Sequence, residues 1–327
     1  MGISAEVAME QAVPTRRISA LRAKLRGTWF HDLVNRSRDL KRQMMRRSEG
    51  EAVLLRTYSR VHGKPFNLRN PQTFTEKLFW RMITWNRGDM PPRFRELTDK
   101  YAVRTHVANT VGEEYLVKLL WHGVDPHAIP FDQLPTEYVI KPNHASERVI
   151  VVKGSADRDD IIRNVSGWLA TNYYWQGREY QYYHVKPRIM IEECLSDKDG
   201  NLPLDYKFYC FSGRPELILV RNHTHDISPF FDTAWNLVDL SCDEGIPRPW
   251  VPKPTNLDEM IALAAKLSAG FGFVRVDFYN VKGRVYFGEL TFTPRGGYLK
   301  FSPDGWDAKL GKKWDLALDT GSWANST

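Results

Sequence analysis

Hydrophobic residues recur along the chain with two different periods, and the segments of each period alternate. Over residues 51–62 and 74–86, apolar positions return every three to four residues, as on a helix with one buried face. Residues 67–73 between them (N-L-R-N-P-Q-T) read as a loop. The run Thr73-Phe74-Thr75-Glu76 offers a capping box, in which a threonine hydroxyl and a glutamate three residues on each satisfy a backbone N–H at the helix start. Residues 99–111 predict a third helix, stopped by Gly112. Residues 257–269 predict a fourth, with Asn256 as N-cap, Asp258 and Glu259 in the first turn and Gly270 past its end. Short apolar runs predict strands at residues 116–121, 138–141, 149–153, 188–193, 207–211, 217–221, 274–279 and 285–290. Interleaved helices and strands of this kind predict an α/β (α+β) fold.

Ahead of this body, Ile18, Leu21, Leu25, Trp29 and Leu33 fall on one face of a helix, and basic residues such as Arg16, Arg17, Arg22, Lys24, Arg46 and Arg47 fill the rest. Charge sharpens the picture. The net charge is +7, and residues 1–60 carry all of it, with thirteen Lys and Arg against six Asp and Glu. The remainder of the chain is balanced, so a nucleic-acid partner is not expected. A basic amphipathic segment over residues 16–47 suits an anionic membrane surface; the alternative is a helix packed on the body with a solvated basic face. No run of about twenty apolar residues exists, which argues against a membrane-spanning helix. The first apolar stretch is interrupted by Glu6 and Glu10, unlike a secretory signal. The three cysteines (Cys194, Cys210, Cys242) form no C-x-x-C pair and suggest neither a disulfide framework nor a zinc ribbon. The expected location is cytoplasmic, with any membrane contact peripheral and at the inner face of the plasma membrane.

Three segments carry candidate chemistry. Residues 274–297 (V-R-V-D-F-Y-N-V-K-G-R-V-Y-F-G-E-L-T-F-T-P-R-G-G) read as a β-hairpin turning over residues 280–283. Asp277 and Glu289 come from neighbouring strands, and Thr291 shares a face with Glu289. Two carboxylates and a neutral oxygen suit Mg²⁺, which completes its shell with phosphates; a solvated hairpin is the plain alternative. Lys100 opens D-K-Y-A-V-R, and Lys141 ends the apolar strand of E-Y-V-I-K-P-N-H. A lysine at the end of a buried strand has either a snorkelling head or an anionic partner such as phosphate. In R-I-M-I-E-E-C-L, residues 188–195, an apolar strand runs out into a Glu-Glu pair.

Taken in order, helix-opening D-K, strand-ending K-P-N-H, E-E-C-L and V-D-F…G-E-L-T resemble the ATP-grasp superfamily. More narrowly, N-L-R-N-P-Q-T-F-T-E-K-L-F-W, D-K-Y-A-V-R, G-E-E-Y-L-V and F-G-E-L-T-F-T-P resemble the TupA-like ATP-grasp family, named for teichuronopeptide biosynthesis, over roughly residues 57–312. The resemblance implies an ATP-grasp fold, with two α+β subdomains gripping ATP between them. Residues 1–56 would be the basic helical segment, which lies outside the resemblance, 57–115 the helical start of the ATP-grasp region, 116–190 the lid subdomain, 191–315 the metal-binding subdomain and 316–327 the C-terminal tail, polar and frayed from Asp319 onward. Lys100 and Lys141 would contact ATP phosphates, and Glu192, Glu193, Cys194 and Leu195 would frame the adenine. Asp277, Glu289 and Thr291 would hold Mg²⁺, with Thr291 where many relatives place Asn. Arg275 would steady the charge that develops during transfer, with Lys141 beside it in the catalytic set.

The sequence departs from the family pattern in the loop after the strand lysine. Relatives often carry N-H-G-S-G there, where backbone amides cradle phosphate; this chain has Asn143-His144-Ala145-Ser146-Glu147-Arg148. Asn143, His144 and Ser146 are the candidate nucleotide contacts in it. Alanine resists the positive φ that glycine adopts freely, and Glu147 adds negative charge near phosphate, which Arg148 would offset. Asp205 and Lys207 (D-Y-K) are candidates for contact with nucleotide or acceptor. Arg178, Glu179 and Tyr182, in an aromatic stretch before the hinge strand, and Arg295 are candidates for substrate contact; core packing is the alternative for the aromatic stretch. His223 and His225 share a predicted strand face and have no third ligand nearby.

The resemblance implies an ATP- and Mg²⁺-dependent carboxylate–amine ligase. It would join a uronic acid of a cell-envelope glycan, or of a lipid-linked precursor, to an amino acid or amine through an acylphosphate. The alternative is an ATP-grasp kinase acting on a sugar or lipid hydroxyl. A nucleotide-binding protein with weakened catalysis is a third class, prompted by the missing loop glycines.

Overall fold

A computed structural model describes residues 49–146, 148–197 and 199–320. The predicted basic helix of residues 16–47 and the end of the chain from residue 321 lie outside the described residues, as does Glu147. The described part opens with four helices, α1 (Gly50–His62), α2 (Phe74–Arg87), α3 (Pro92–Thr98) and α4 (Val103–Thr110). Next come β1 (Leu119–Gly123), β2 (Glu137–Pro142), β3 (Ile150–Lys153), α5 (Arg158–Leu169), the single turn α6 (Tyr174–Gly177) and β4 (Ile189–Glu193). Then follow β5 (Asp205–Phe211), β6 (Arg214–Arg221), β7 (Phe230–Phe231), β8 (Leu237–Val238), α7 (Leu257–Ser268), β9 (Phe273–Val281), β10 (Arg284–Thr291) and α8 (Trp306–Lys313).

The strands form two antiparallel sheets, one of four strands in the order β1-β4-β2-β3 and one of six in the order β10-β9-β5-β6-β7-β8. In the small sheet, Ile140, Ile189 and Ile191 pack against Ile161 and Val165 of α5. Residue 190 is therefore not the subdomain boundary. β4 belongs to the small sheet through Glu193, where its pairing with Tyr138 ends.

The six-stranded sheet shows what period two does to a sequence. On β5, Tyr206, Phe208 and Cys210 face a core shared with Met260, Leu263 and Leu267 of α7. The alternate residues line the other face. There Tyr209 and Phe211 join Phe74, Leu78, Leu310 and Trp314, while Asp205 and Lys207 continue the same face toward the strand start. One face thus passes from aromatic to charged within seven residues, and the charged end is the site described below.

Helix α2 starts as its sequence dictates. Glu76 N–H donates to the Thr73 hydroxyl at 3.3 Å, and Thr73 N–H donates to the Glu76 carboxylate at 3.0 Å. Its Phe74 ring is fully buried and packs edge-on against Phe273 at 4.7 Å. Burial of such a side chain stabilises the fold by about 1.5–3 kcal/mol.

Several local expectations are corrected. Residues 99–102 form a turn and only Val103–Thr110 is helical, while α3 and α5 were not predicted. Asn256 makes no capping bond; its amide donates instead to the Gly283 carbonyl at 3.0 Å. The 274–291 hairpin turns through Lys282 and Gly283 alone, both at positive φ (53° and 78°). His223 and His225 follow the end of β6 in a turn rather than sharing a strand. Asp319, expected to begin a frayed end, is not frayed: it is 2% exposed and pairs with Arg81 of α2 at 2.7 Å.

Candidate active site

The hairpin register fixes the centre of the site. Glu289 stands opposite Asp277, Thr291 opposite Arg275, and Lys207 opposite Asp277 on the other side. A bulge between Phe287 and Glu289 sets this pairing. A Cβ at Gly288 would sit 3.0 Å from the Asp277 carbonyl oxygen, so glycine eases the close approach of the two strands.

Six side chains from these three strands bind one another. Arg275 Nε donates to Asp277 Oδ1 at 2.7 Å and its Nη2 to Asp277 Oδ2 at 2.6 Å, a bidentate pair. The same Nη2 reaches Glu289 at 3.1 Å and the Thr291 hydroxyl at 3.0 Å. Thr291 donates to Glu289 at 2.6 Å. Lys207 Nζ donates to Asp277 at 2.8 Å and also pairs with Asp205.

Lys100 extends the cluster toward the four-stranded sheet. Its Nζ donates to Glu289 Oε2 at 2.8 Å, while its backbone N–H donates to the Asn143 carbonyl at 3.0 Å, in the loop after β2. Beyond it, Lys141 and Arg104 share one carboxylate, that of Glu192, at 2.5 and 3.2 Å. Arg104 was not singled out from the sequence. Its signal lay in the spacing of Lys100 and Arg104, which brings two cations into one short segment.

The electrostatics follow from burial and from these partners. Burial alone would raise the Glu289 carboxyl, yet Lys100, Arg275 and Lys207 hold it well below the ordinary value of 4.5. Burial raises Asp205 above its ordinary value and the charge on Asp277 adds to this, while Lys207 opposes it. Asp205 Oδ1 is buried and has no hydrogen-bond partner. Tyr279, opposite Asp205, is driven well above 10.0 by burial and then by the Asp205 charge.

The set fits Mg²⁺ by donor chemistry. Asp277, Glu289 and Thr291 present hard oxygens on one face, and the unpartnered Asp205 oxygen lies in the same cluster. Among the described residues no three His, Cys, Asp or Glu side chains converge as a ready cage. Two carboxylates and a hydroxyl leave the rest of an octahedral shell to water and phosphate oxygens. The interleaved lysines would at the same time meet the phosphates.

The loop after β2 is organised by side chains. The Asn143 amide donates to Asp99 at 2.9 Å and to the Lys186 carbonyl at 3.0 Å, and its oxygen accepts from Arg188 N–H at 2.8 Å. His144 is turned to the end of α5, with Nε2 at 3.1 Å from the Trp168 carbonyl and 3.2 Å from that of Thr171. Ser146 meets the Tyr173 hydroxyl at 3.2 Å. Asn143 and His144 thus tie the loop down with the side chains that were candidates for nucleotide contact. Glu192 likewise spends its carboxylate on Lys141 and Arg104, while Glu193 is exposed and Cys194 and Leu195 continue from the strand end, half-buried.

The candidate substrate residues divide. Arg178 is 2% exposed, its guanidinium 4.7 Å from the Trp175 ring centre and 5.3 Å from that of Tyr174. Glu179 accepts from the Thr293 hydroxyl, and Tyr182 lies within electrostatic reach of Glu179 and Glu289. Tyr174 and Tyr180 are part of the main core, so packing accounts for much of the aromatic stretch. Arg295 is half-exposed and pairs with Asp243, a residue that no sequence motif had marked.

Two antiparallel sheets, with Lys100 ahead of the first bonded to Glu289 of the second and Lys141 at a strand end of the first, suit an ATP-grasp enzyme. Residues 76–315 match the sequence profile described as TupA-like ATPgrasp, and the chain belongs to that family. No curated protein matches it significantly. Among solved structures it is similar to D-alanine–D-alanine ligase from Helicobacter pylori (16% identity, 67% of this chain and 61% of that one, TM-score 0.38). It is similar to the Bacillus anthracis enzyme of the same name (17% identity, 60% and 57%, TM-score 0.36). The ATP-grasp ligase PsnB, complexed with its minimal precursor, is similar at 15% identity over 66% and 59%, with TM-score 0.35. The chain therefore spans less than two thirds of the length of these relatives.

Proposed function

We propose that the protein is an ATP- and Mg²⁺-dependent carboxylate–amine ligase that forms an amide on a uronic acid of a cell-envelope glycan or its precursor. The observation that carries this reading is the Arg275 guanidinium, fixed at once on Asp277, Glu289 and Thr291. A cation held in place before the reaction stabilises charge as it develops, at no cost of reorganisation. Asp277, Glu289 and Thr291 would hold Mg²⁺, which offsets charge on the phosphates. An acceptor carboxylate oxygen attacks the terminal phosphorus of ATP and ADP leaves. The amine nitrogen then attacks the acylphosphate carbonyl, the C–O bond to phosphate breaks, and the nitrogen gives up a proton. Asp205, with its raised carboxyl and unpartnered oxygen, would take that proton.

Asp205 also favours a second reading. A kinase needs a base for its acceptor hydroxyl, and the same carboxylate would serve. Incubation with ATP, Mg²⁺ and a uronic-acid oligosaccharide, with and without an amino-acid pool, separates the two. The ligase predicts amine-dependent release of ADP and phosphate together with a new amide mass. A phosphorylated glycan formed without any amine would overturn it. Residues 16–47 would hold the enzyme at an anionic membrane carrying its acceptor; intact protein should bind phosphatidylserine vesicles at low salt and leave them at high salt.

A further inference from the structure

A second charged group lies beside the cluster, on the strand next to it. Arg221 of β6 stands opposite Asp205 in the sheet. Its Nη2 pairs with Asp243, and Ser228 donates to the same Asp243 oxygen at 3.0 Å. The other Asp243 oxygen holds Arg295 Nη1, which also donates to the Cys242 carbonyl at 3.1 Å. One buried carboxylate thus carries two guanidinium groups, and the group as a whole keeps a positive charge.

The two arginines are displayed differently. The Arg221 side chain is 11% exposed, whereas that of Arg295 is 46% exposed. Only Nη1 of Arg295 is engaged, and no described residue bonds its Nε or Nη2. That edge is the one that grips a planar carboxylate with two parallel bonds. Arg295 takes the left-handed conformation (φ 54°) and is followed by Gly296 at φ 56°, which turns the chain after β10 and presents the residue four positions beyond Thr291. Tyr209 lies within electrostatic reach of Arg221, Arg275 and Asp277, and also of Arg295, so this group borders the reacting centre.

We propose that the free edge of Arg295, held in place by Asp243, binds the carboxylate of the incoming amine, which makes that co-substrate an amino acid. The inference rests on the ligase reading. In that reaction the uronic acid's own carboxylate is consumed when it becomes the acylphosphate beside Arg275. For an acceptor that offers a single uronic acid at the site, a carboxylate that survives at a second, separate guanidinium belongs to the other reactant. Asp243 is a positioning residue here, since it touches Arg295 and not the ligand.

The test is saturation-transfer NMR on the full chain with Mg²⁺ and a non-hydrolysable ATP analogue. The probes are a pool of the twenty L-amino acids, a matched pool of their carboxamides, and D-glucuronate alone. The expected result is transfer to one or more amino acids and none to the carboxamides. Affinity should fall roughly 10- to 100-fold in Arg295→Ala, the range for a lost charged hydrogen bond, and less in Arg295→Lys. Carboxamides that bind as well as the acids would overturn the proposal, and that arm needs no variant. So would unchanged affinity in Arg295→Ala, Arg295-dependent binding of glucuronate alone, or no amino-acid binding to wild type. ATP turnover that ignores every amine, with Arg295-dependent amino-acid binding intact, would retire the ligase and leave the carboxylate site standing.

Discussion

Arg81–Asp319 and Arg275–Asp277 are the same chemical pair placed in two different enclosures. Arg81 and Asp319 have side-chain exposures of 0% and 1% and lie 2.7 Å apart. Arg81 also donates to the carbonyls of Phe292 and Phe273, and its guanidinium sits 4.3 Å from the Trp314 ring centre. Burial lowers its pKa below the ordinary arginine value, with Asp319 only partly offsetting that. Arg275 is also buried, but Asp277 and Glu289 outweigh the burial and raise its pKa. One arginine thus has a single carboxylate, carbonyls and aromatic walls. The other has two carboxylates, two nearby lysines, and an unpartnered carboxylate oxygen in the same cluster. Sealed on all sides, such a pair clamps a helix to the end of the chain. Set among surplus hard oxygens and cations, it is equipped for an ionic ligand.

The largest expected effect breaks the clamp. Asp319→Ala leaves the Arg81 charge buried without its carboxylate, a change that costs about 3–5 kcal/mol. Urea unfolding should show a large drop in midpoint, and a drop of only a few tenths of a kcal/mol would place Asp319 outside the core.

The cluster should respond in the opposite way. Asp277→Asn or Glu289→Gln should lower turnover by about 10²- to 10³-fold, as when a preorganised charge contact is removed, and lower the urea midpoint less than Asp319→Ala does, because Arg275 keeps a second carboxylate in either variant. Glu289→Gln also carries a pH signature. A carboxyl held below 4.5 in the fold contributes stability that is present above pH 4.5 and lost as pH falls through the folded value. The variant should therefore lose less stability than wild type below pH 4.5, and equal acid limbs would show that Glu289 is not held by its three cations.

Lys141 tests the far end of the site. Lys141→Ala should weaken binding of an ATP analogue roughly 10-fold or more, and Lys141→Arg less, because a point charge is what phosphate requires. The fold should survive, since Glu192 keeps Arg104 at 3.2 Å. Equal affinities by calorimetry would make the lysine a structural partner of Glu192 alone.

The smallest effect lies at the start of α2. Thr73→Ala removes one half of the capping box and should cost about 1 kcal/mol, read as a small shift in the urea midpoint with turnover unchanged.

These two arginine pairs also mark what is legible in the sequence. Strand alternation alone pairs Arg275 with Asp277 and Glu289 with Thr291 on a face, but only the bulge between Phe287 and Glu289 sets the two pairs opposite each other. The capping box at Thr73 is equally local. Arg81 and Asp319 are separated by most of the chain, and no periodicity links them. The same holds for Asp243, which meets Arg221 and Arg295 only because the sheet brings three distant segments together. In the loop after β2, the missing glycines are plain from the residues themselves. The side-chain ties of Asn143 and His144 that hold the loop are not, since their partners come from α5 and the start of β4.

Hydroxamate trapping with Arg275→Lys tests the central claim most directly. With ATP, Mg²⁺, a uronic-acid oligosaccharide and hydroxylamine, wild type should form a glycan hydroxamate, because an acylphosphate is the electrophile that hydroxylamine captures. Arg275→Lys, which keeps the charge but loses the bidentate fork, should unfold near the wild-type urea midpoint and form little or none. Hydroxamate at the wild-type rate in the variant, or none in wild type while ATP is consumed, would contradict the account.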